Sequence, residues 1–162
     1  MSTMNDAFMP IRIIGIGNKD RGDDAVGPVV VQALQGRLPK YVSAFEHSGE
    51  VAGLMDCMDG AEAVYLVDAA AMGLEPGSLR AFDASERPLP SLGGAYSSHA
   101  MGVSEAVELA RALNVLPPVC RVFAVEAATF AAGDGLSAAV DAAIPQVTQA
   151  VLDAIAQEGG HA

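Results

Sequence analysis

Residues 11–28 read IRIIGIGNKDRGDDAVGP, and this stretch sets the architecture. The β-branched run Ile11 to Ile16 predicts a buried strand that gives way to a loop at Gly15-Ile16-Gly17-Asn18. Beyond the polar residues Lys19 to Asp24, apolar side chains at Val26, Val30, Leu34 and Leu38 recur at every fourth position. Pro28 fits only the first turn of a helix, so a helix follows the strand. A strand passing through a glycine loop into a helix opens a βα unit.

The rest of the chain repeats the unit. Tyr41 to Glu46 predicts a second strand, and Val51, Leu54, Met55 and Met58 lie at helical spacing before the Asp59-Gly60 stop. Ala63 to Val67, closed by Asp68, predicts a third buried strand, and Leu79 to Phe82 a short edge strand. Ser85 to Ser98, with two prolines and two glycines, predicts an irregular excursion, the kind of long loop that carries function. Val103, Val107 and Leu109 to Leu113 mark a third helix and Val119 to Val125 a further strand. A last helix opens at a Ser137 cap, with a kink expected at Pro145. Strands alternating with helices predict an α/β fold in three layers, a doubly wound, mostly parallel sheet flanked by helices on both faces.

Composition narrows the function. A chain of 162 residues fits one domain, 1–162, and 51% apolar residues supply its core. Nine basic against 20 acidic residues give a net charge of −11, which repels nucleic acid and anionic lipid alike. Asp68 interrupts the most apolar stretch, so no membrane span is expected. The first ten residues carry no positive charge ahead of an apolar block, which is unlike a signal peptide and points to the cytoplasm. Cys57 and Cys120 form no C-x-x-C pair and are expected as buried thiols.

In a doubly wound sheet, ligands bind beyond the carboxyl ends of the strands. The polar residues expected there are Asp20, Asp23, Asp24, His47, Glu50, Asp68, His99 and Glu126. Asp24, Asp68 and His99 would offer two oxygens and a nitrogen to a divalent transition metal while leaving positions open. Each also has a plainer reading: Asp24 as a helix N-cap, Asp68 as a strand-end cap, His99 as a hydrogen-bonded loop residue. Glu126 reads as structural, and His161 in the Gly-Gly tail is expected to be disordered. None of the three His begins H-E-x-x-H, no Ser sits in G-x-S-x-G, and no Asp stands in D-T-G or D-S-G. The glycine loop has Asp20 where G-x-G-x-x-G needs a third glycine, which weakens dinucleotide binding.

Taken together, Ile14-Gly15-Ile16-Gly17-Asn18 with Asp23-Asp24-Ala25-Val26-Gly27, Val67-Asp68-Ala69, Ser98-His99 and Gly135-Leu136-Ser137 resemble the hydrogenase maturation proteases. These are endopeptidases that trim the C-terminus of the [NiFe]-hydrogenase large-subunit precursor. The resemblance implies that Asp24, Asp68 and His99 contact nickel and carry the catalysis, with the nickel supplied by the substrate and no organic cofactor. It implies one partner, the large-subunit precursor, and neither nucleic acid nor membrane. Where relatives often have Asp-x-Gly-Thr, this chain reads Glu46-His47-Ser48-Gly49-Glu50, so His47 and Glu50 are the expected substrate contacts, His47 alternatively an extra ligand or a structural rim residue. Two other functions stay open: a metal-checkpoint chaperone that binds the precursor without cutting it, and an α/β nucleotide-binding enzyme.

Overall fold

Each of the β-branched runs becomes a strand of one sheet. The computed structural model describes residues 10–92 and 98–159, with 98–101 and 159 described by backbone alone. The strands are β1 (Ile11–Ile16), β2 (Val42–His47), β3 (Ala63–Ala70), β4 (Leu79–Asp83) and β5 (Val119–Glu126). The helices are α1 (Val26–Leu34), α2 (Val51–Met58), α3 (Ser98–Ala112) and α4 (Ala138–Gly159), and a 3-10 turn, Gly22–Ala25, leads into α1. Strand order is β2-β1-β3-β5-β4, parallel throughout except that β4 runs antiparallel to β5.

Side chains alternate across the sheet and fill two cores. Ile11, Ile13, Tyr65 and Val67 pack with Val26, Val30 and Leu34 of α1 and with Val140, Val147 and Val151 of α4. On the opposite face, Ile14, Ile16, Val64 and Leu66 pack with Leu54 and Met58 of α2 and with Val103, Ala106 and Val107 of α3. A strand covered on both faces needs apolar residues at every position, which is why these strands read as continuous runs.

The glycines of the opening stretch set how close α1 comes. A Cβ on Gly15 would lie 2.3 Å from the Gly27 carbonyl oxygen. One on Gly27 would lie 2.4 Å from the backbone nitrogen and oxygen of Ile16 and 2.7 Å from the Val67 oxygen. Gly17, at φ +142°, leaves only 1.8 Å between such a Cβ and the Asp24 carbonyl. The first turn of α1 therefore rests on the backbone of β1 and β3, an approach that only glycine allows.

Asp23 ties this corner to the end of the chain. Fully buried, its carboxylate accepts hydrogen bonds from the backbone N–H of Ala128 (2.7 Å), Thr129 (3.2 Å) and Ser137 (2.7 Å) and from the Ser137 hydroxyl (2.8 Å). Four donors compensate the charge that burial would otherwise penalise. Ser137 is the cap of α4 that its sequence position suggests, its Oγ accepting from Val140 N–H at 3.4 Å.

Several boundaries differ from the sequence reading, each for a physical reason. Helix α1 stops at Leu34, short of Leu38, because Gln35 is extended and Gly36 turns left-handed at φ +80°. Strand β3 continues past Asp68 to Ala70, because Ala69 and Ala70 go on pairing with Val125 and Glu126 of β5. Helix α3 begins at Ser98, so His99 is helical rather than a loop residue ahead of the helix. Cys120 is buried, and burial pushes its thiol up to about 12, whereas Cys57 is only half-buried.

The long excursion follows from topology. β4 starts beside Val125 and ends beside Arg121, so the chain leaves it at the amino edge of the parallel strands. To begin α3 at the carboxyl edge it must climb back. It reaches that edge by Leu92, whose carbonyl accepts from Ala71 N–H at 2.8 Å, and the start of α3 abuts the loop after β2, a Cβ on Gly102 lying 2.5 Å from the Gly49 oxygen. Residues 93–97 lie outside the described residues.

Two substitutions test this packing by urea denaturation. Gly27→Ala places a methyl against three backbone atoms and is expected to cost about 3 kcal/mol, whereas Gly36→Ala, with nothing within 4 Å, should cost only the left-handed strain of about 1 kcal/mol. Asp23→Ala strands buried donors and should cost on the order of 3 kcal/mol.

Candidate active site

The acid pair grows out of this corner. Asp24 sits in the 3-10 turn beneath α1, 1% exposed, with its Oδ2 accepting from Asn18 N–H at 2.9 Å. It does not cap α1: that helix has Ala25 at its N-cap position and no side-chain capping bond. Asn18, which the sequence reading passed over as part of a glycine motif, shapes the loop through an Asx turn, its Oδ1 accepting from Asp20 N–H at 2.8 Å. The i to i+2 spacing of Asn18 and Asp20 was the available signal.

Asp68 lies inside β3, also 1% exposed, and by the alternation of the strand faces α2 and α3. Its Oδ1 accepts from Ala69 N–H at 2.9 Å. Its Oδ2 is buried and has no hydrogen-bond partner among the described residues. Burial raises the carboxyl well above the usual range, the negative charge of Asp24 raises it further, and the Ala69 N–H offsets part of the effect. A carboxyl this poorly solvated within a sheet core weakens the fold, and such groups concentrate at functional sites. The strand-end cap reading of Asp68 fails, because the strand has two more residues to run.

The third expected ligand, His99, is the second residue of α3, and its side chain lies outside the described residues. Its backbone stands at the carboxyl edge over the face to which Asp68 points. Among the described side chains no group of three His, Cys, Asp or Glu comes together. The orphaned Asp68 oxygen beside Asp24 is nevertheless a donor set that suits a divalent cation, needing ligands from elsewhere to complete it. His161 lies outside the described residues.

Both residues of the second loop have structural partners. His47 ends β2, and its Nδ1 accepts from Gly49 N–H at 2.9 Å. That bond puts the proton of the neutral ring on Nε2, which then acts as a donor rather than as a metal ligand. Glu50 caps α2, its Oε1 accepting from Gly53 N–H. A Cβ on Gly53 would meet both the Glu50 carboxylate and the His47 ring, so Gly53 makes room for the two side chains. A cleft of about 450 Å³ lined by Gly17, Asn18, Lys19, Asp20, Glu46, His47 and Ser48 opens here, spanned by a Lys19–Glu46 ion pair at 3.2 Å.

Glu126, by contrast, is committed to the scaffold. It accepts from Met72 N–H (2.7 Å) and Gly73 N–H (3.2 Å), fixing the loop after β3. Four N–H groups of the glycine loop are also taken: Gly17 donates to His47 O (3.0 Å), Asn18 to Asp24, Asp20 to Asn18 Oδ1 and Arg21 to Asn18 O (3.2 Å). A phosphate would not find the row of converging free N–H donors that a nucleotide-binding loop offers, which counts against nucleotide binding.

Comparison with known proteins agrees with this geometry. The sequence model of the family described as hydrogenase maturation protease matches residues 28–154. The hydrogenase-maturating endopeptidase HybD from E. coli superposes with a TM-score of 0.83 at 25% identity, over 93% of this chain and 94% of that one. The [NiFe] hydrogenase maturation protease HybD from Thermococcus kodakarensis shares the fold, with a TM-score of 0.67 at 20% identity over 90% of this chain and 98% of that one. Coenzyme F420 hydrogenase subunit delta of Methanothermobacter thermautotrophicus is 30% identical over 158 residues, covering 90% of this chain and 94% of the relative. With a glycine-built βα corner, two buried aspartates at the carboxyl edge and a family match over most of its length, the chain belongs to the hydrogenase maturation proteases.

Proposed function

We propose that the chain is a nickel-dependent endopeptidase that removes the C-terminal extension of a [NiFe]-hydrogenase large-subunit precursor in the cytoplasm, the nickel arriving within the substrate. The observation that carries this reading is the buried, partnerless Oδ2 of Asp68 held beside Asp24. A fold keeps such a pair against its own stability when the pair receives something, and a substrate-borne cation is the simplest match.

A divalent nickel ion there supplies positive charge that both carboxylates lack and leaves coordination positions open for the substrate. The chain's own residues do the rest. Asn18 N–H and Ala69 N–H hold one oxygen each of Asp24 and Asp68, which fixes the direction of both carboxylates. His99 contributes the nitrogen donor from the start of α3. His47 offers its Nε2–H to a substrate carbonyl at the rim of the cleft, and Glu50 keeps that rim in place by capping α2. Between the two aspartates a general base is available for the attacking water.

A second reading, stable association without cleavage, is favoured by one observation: the relative from M. thermautotrophicus is named as a hydrogenase subunit. Incubating the purified chain with nickel-loaded and nickel-free precursor separates the two. A shortened product from the loaded precursor alone, seen by mass spectrometry, is the expected result; a lasting complex with uncut precursor in both cases would establish the binding role instead.

Asp24→Ala is expected to lower processing at least about a hundredfold even at saturating precursor. Asp68→Asn should also abolish processing, yet stabilise the metal-free chain. Because the native carboxyl of Asp68 is raised, its contribution to stability is full below the ordinary aspartate range and is lost as pH rises through the native value. The thermal midpoint of Asp68→Asn should therefore exceed that of the wild type by a margin that widens from acid to neutral pH; a constant margin would contradict this assignment.

A further inference from the structure

A second cleft of about 450 Å³ opens beyond the ends of β3 and β5, lined by Arg21, Ala71 and the run 127–131. It adjoins the acid pair on both chain segments. Arg21 immediately precedes the turn that carries Asp24, and Ala71 follows the strand that carries Asp68. In the sheet order β2-β1-β3-β5, the first cleft lies at the β2/β1 ends and this one at the β3/β5 ends, with Asp24 and Asp68 between them.

The walls have a definite chemistry. Ala71, Ala127, Ala128 and Ala131 carry no long side chain, so a peptide backbone can lie close against them, and Thr129 and Phe130 complete the lining. The floor is held rigid before anything binds: Asp23 accepts from Ala128 and Thr129 N–H, and Ala127 N–H donates to the Ala70 carbonyl at 3.0 Å. Arg21 is exposed and makes no ion pair among the described residues, whereas Lys19 in the same loop is paired with Glu46. In a chain of net charge −11, an uncommitted guanidinium lining a cleft whose other walls are mostly alanine selects for a carboxylate.

We propose that the β3/β5 cleft is a substrate subsite that receives a peptide segment of small residues bearing a carboxylate, with Arg21 as the ion-pair partner. The proposal rests on the endopeptidase reading above. Two inter-strand spacings, about 10 Å, separate the clefts, which an extended peptide crosses in about three residues. The carboxylate therefore belongs within about two residues of the scissile bond, either as an acidic side chain or as a free chain terminus.

Two measurements on the full-length chain test this. In the first, amide shifts of isotope-labelled protein are followed against acetyl-Ala-Glu-Ala-amide, acetyl-Ala-Ala-Ala with a free carboxylate, and acetyl-Ala-Gln-Ala-amide. At least one carboxylate peptide should shift residues 71 and 127–131 well beyond the Gln control and lose that effect in Arg21→Glu; which peptide does so identifies the source of the carboxylate. In the second, Arg21→Glu should raise the KM for nickel-loaded precursor about tenfold with a smaller change in kcat, and Arg21→Lys should recover much of the loss. Equal shifts from all three peptides, or an unchanged KM in Arg21→Glu, would overturn the subsite. A wild-type chain that fails to cut the precursor sinks the endopeptidase reading alone, and the peptide shifts then decide the subsite by themselves.

Discussion

Everything at the carboxyl edge depends on one close approach, the first turn of α1 lying on the backbone of β1 and β3. Gly15 and Gly27 remove the side chains that would hold the helix away, and Gly17 lets the chain double back over the Asp24 carbonyl. The result is that Asp24 reaches the charge of Asp68 even though the two belong to different elements. The glycines that superficially suggest a phosphate cradle are contacts between backbones, and the N–H groups of Gly17, Asn18, Asp20 and Arg21 are spent on the protein itself.

Asp23 and Asp24 are adjacent, both buried, and opposite in purpose. Asp23 is surrounded by donors and behaves as a fastener, its charge balanced by four hydrogen bonds. Asp24 stands next to another carboxyl whose second oxygen has no donor among the described residues. The stabilising neighbour makes the destabilising one tolerable, because the turn that carries both is anchored through Asp23. Site strain and scaffold strength thus sit one residue apart.

Much of the fold was legible in the sequence because the central strands β1, β3 and β5 are covered on both faces and read as short, mostly apolar runs. The order of the elements, the parallel sheet and the Ser137 cap follow from local pattern. What stayed hidden was set by partners distant in the chain. Asp68 looks like the end of a strand until β5 pairs beside Ala69 and Ala70. Ser98 to Met101 lack the apolar spacing that betrays Val103 and Val107, so the helix reads as starting late. The roles of Asp23 and Asp24 are indistinguishable in an Asp-Asp pair, since only the position of residues 128–137 tells them apart. Asp24 lies in the turn after β1 and Asp68 within β3 rather than after it, close enough for the charge of Asp24 to act on Asp68, whereas Glu50 has a capping bond that no preference for glutamate at that position would suggest.

The Asp23 fastener joins residues separated by 114 positions. During synthesis from the amino terminus, the turn that carries Asp24 is made early and waits for its anchor until Ser137 has left the ribosome. Strand β5, which extends β3 past Asp68, is likewise among the last elements to appear. The geometry of the acid pair therefore depends on residues made at opposite ends of synthesis, the turn from the first fifth of the chain and its anchors from the last third.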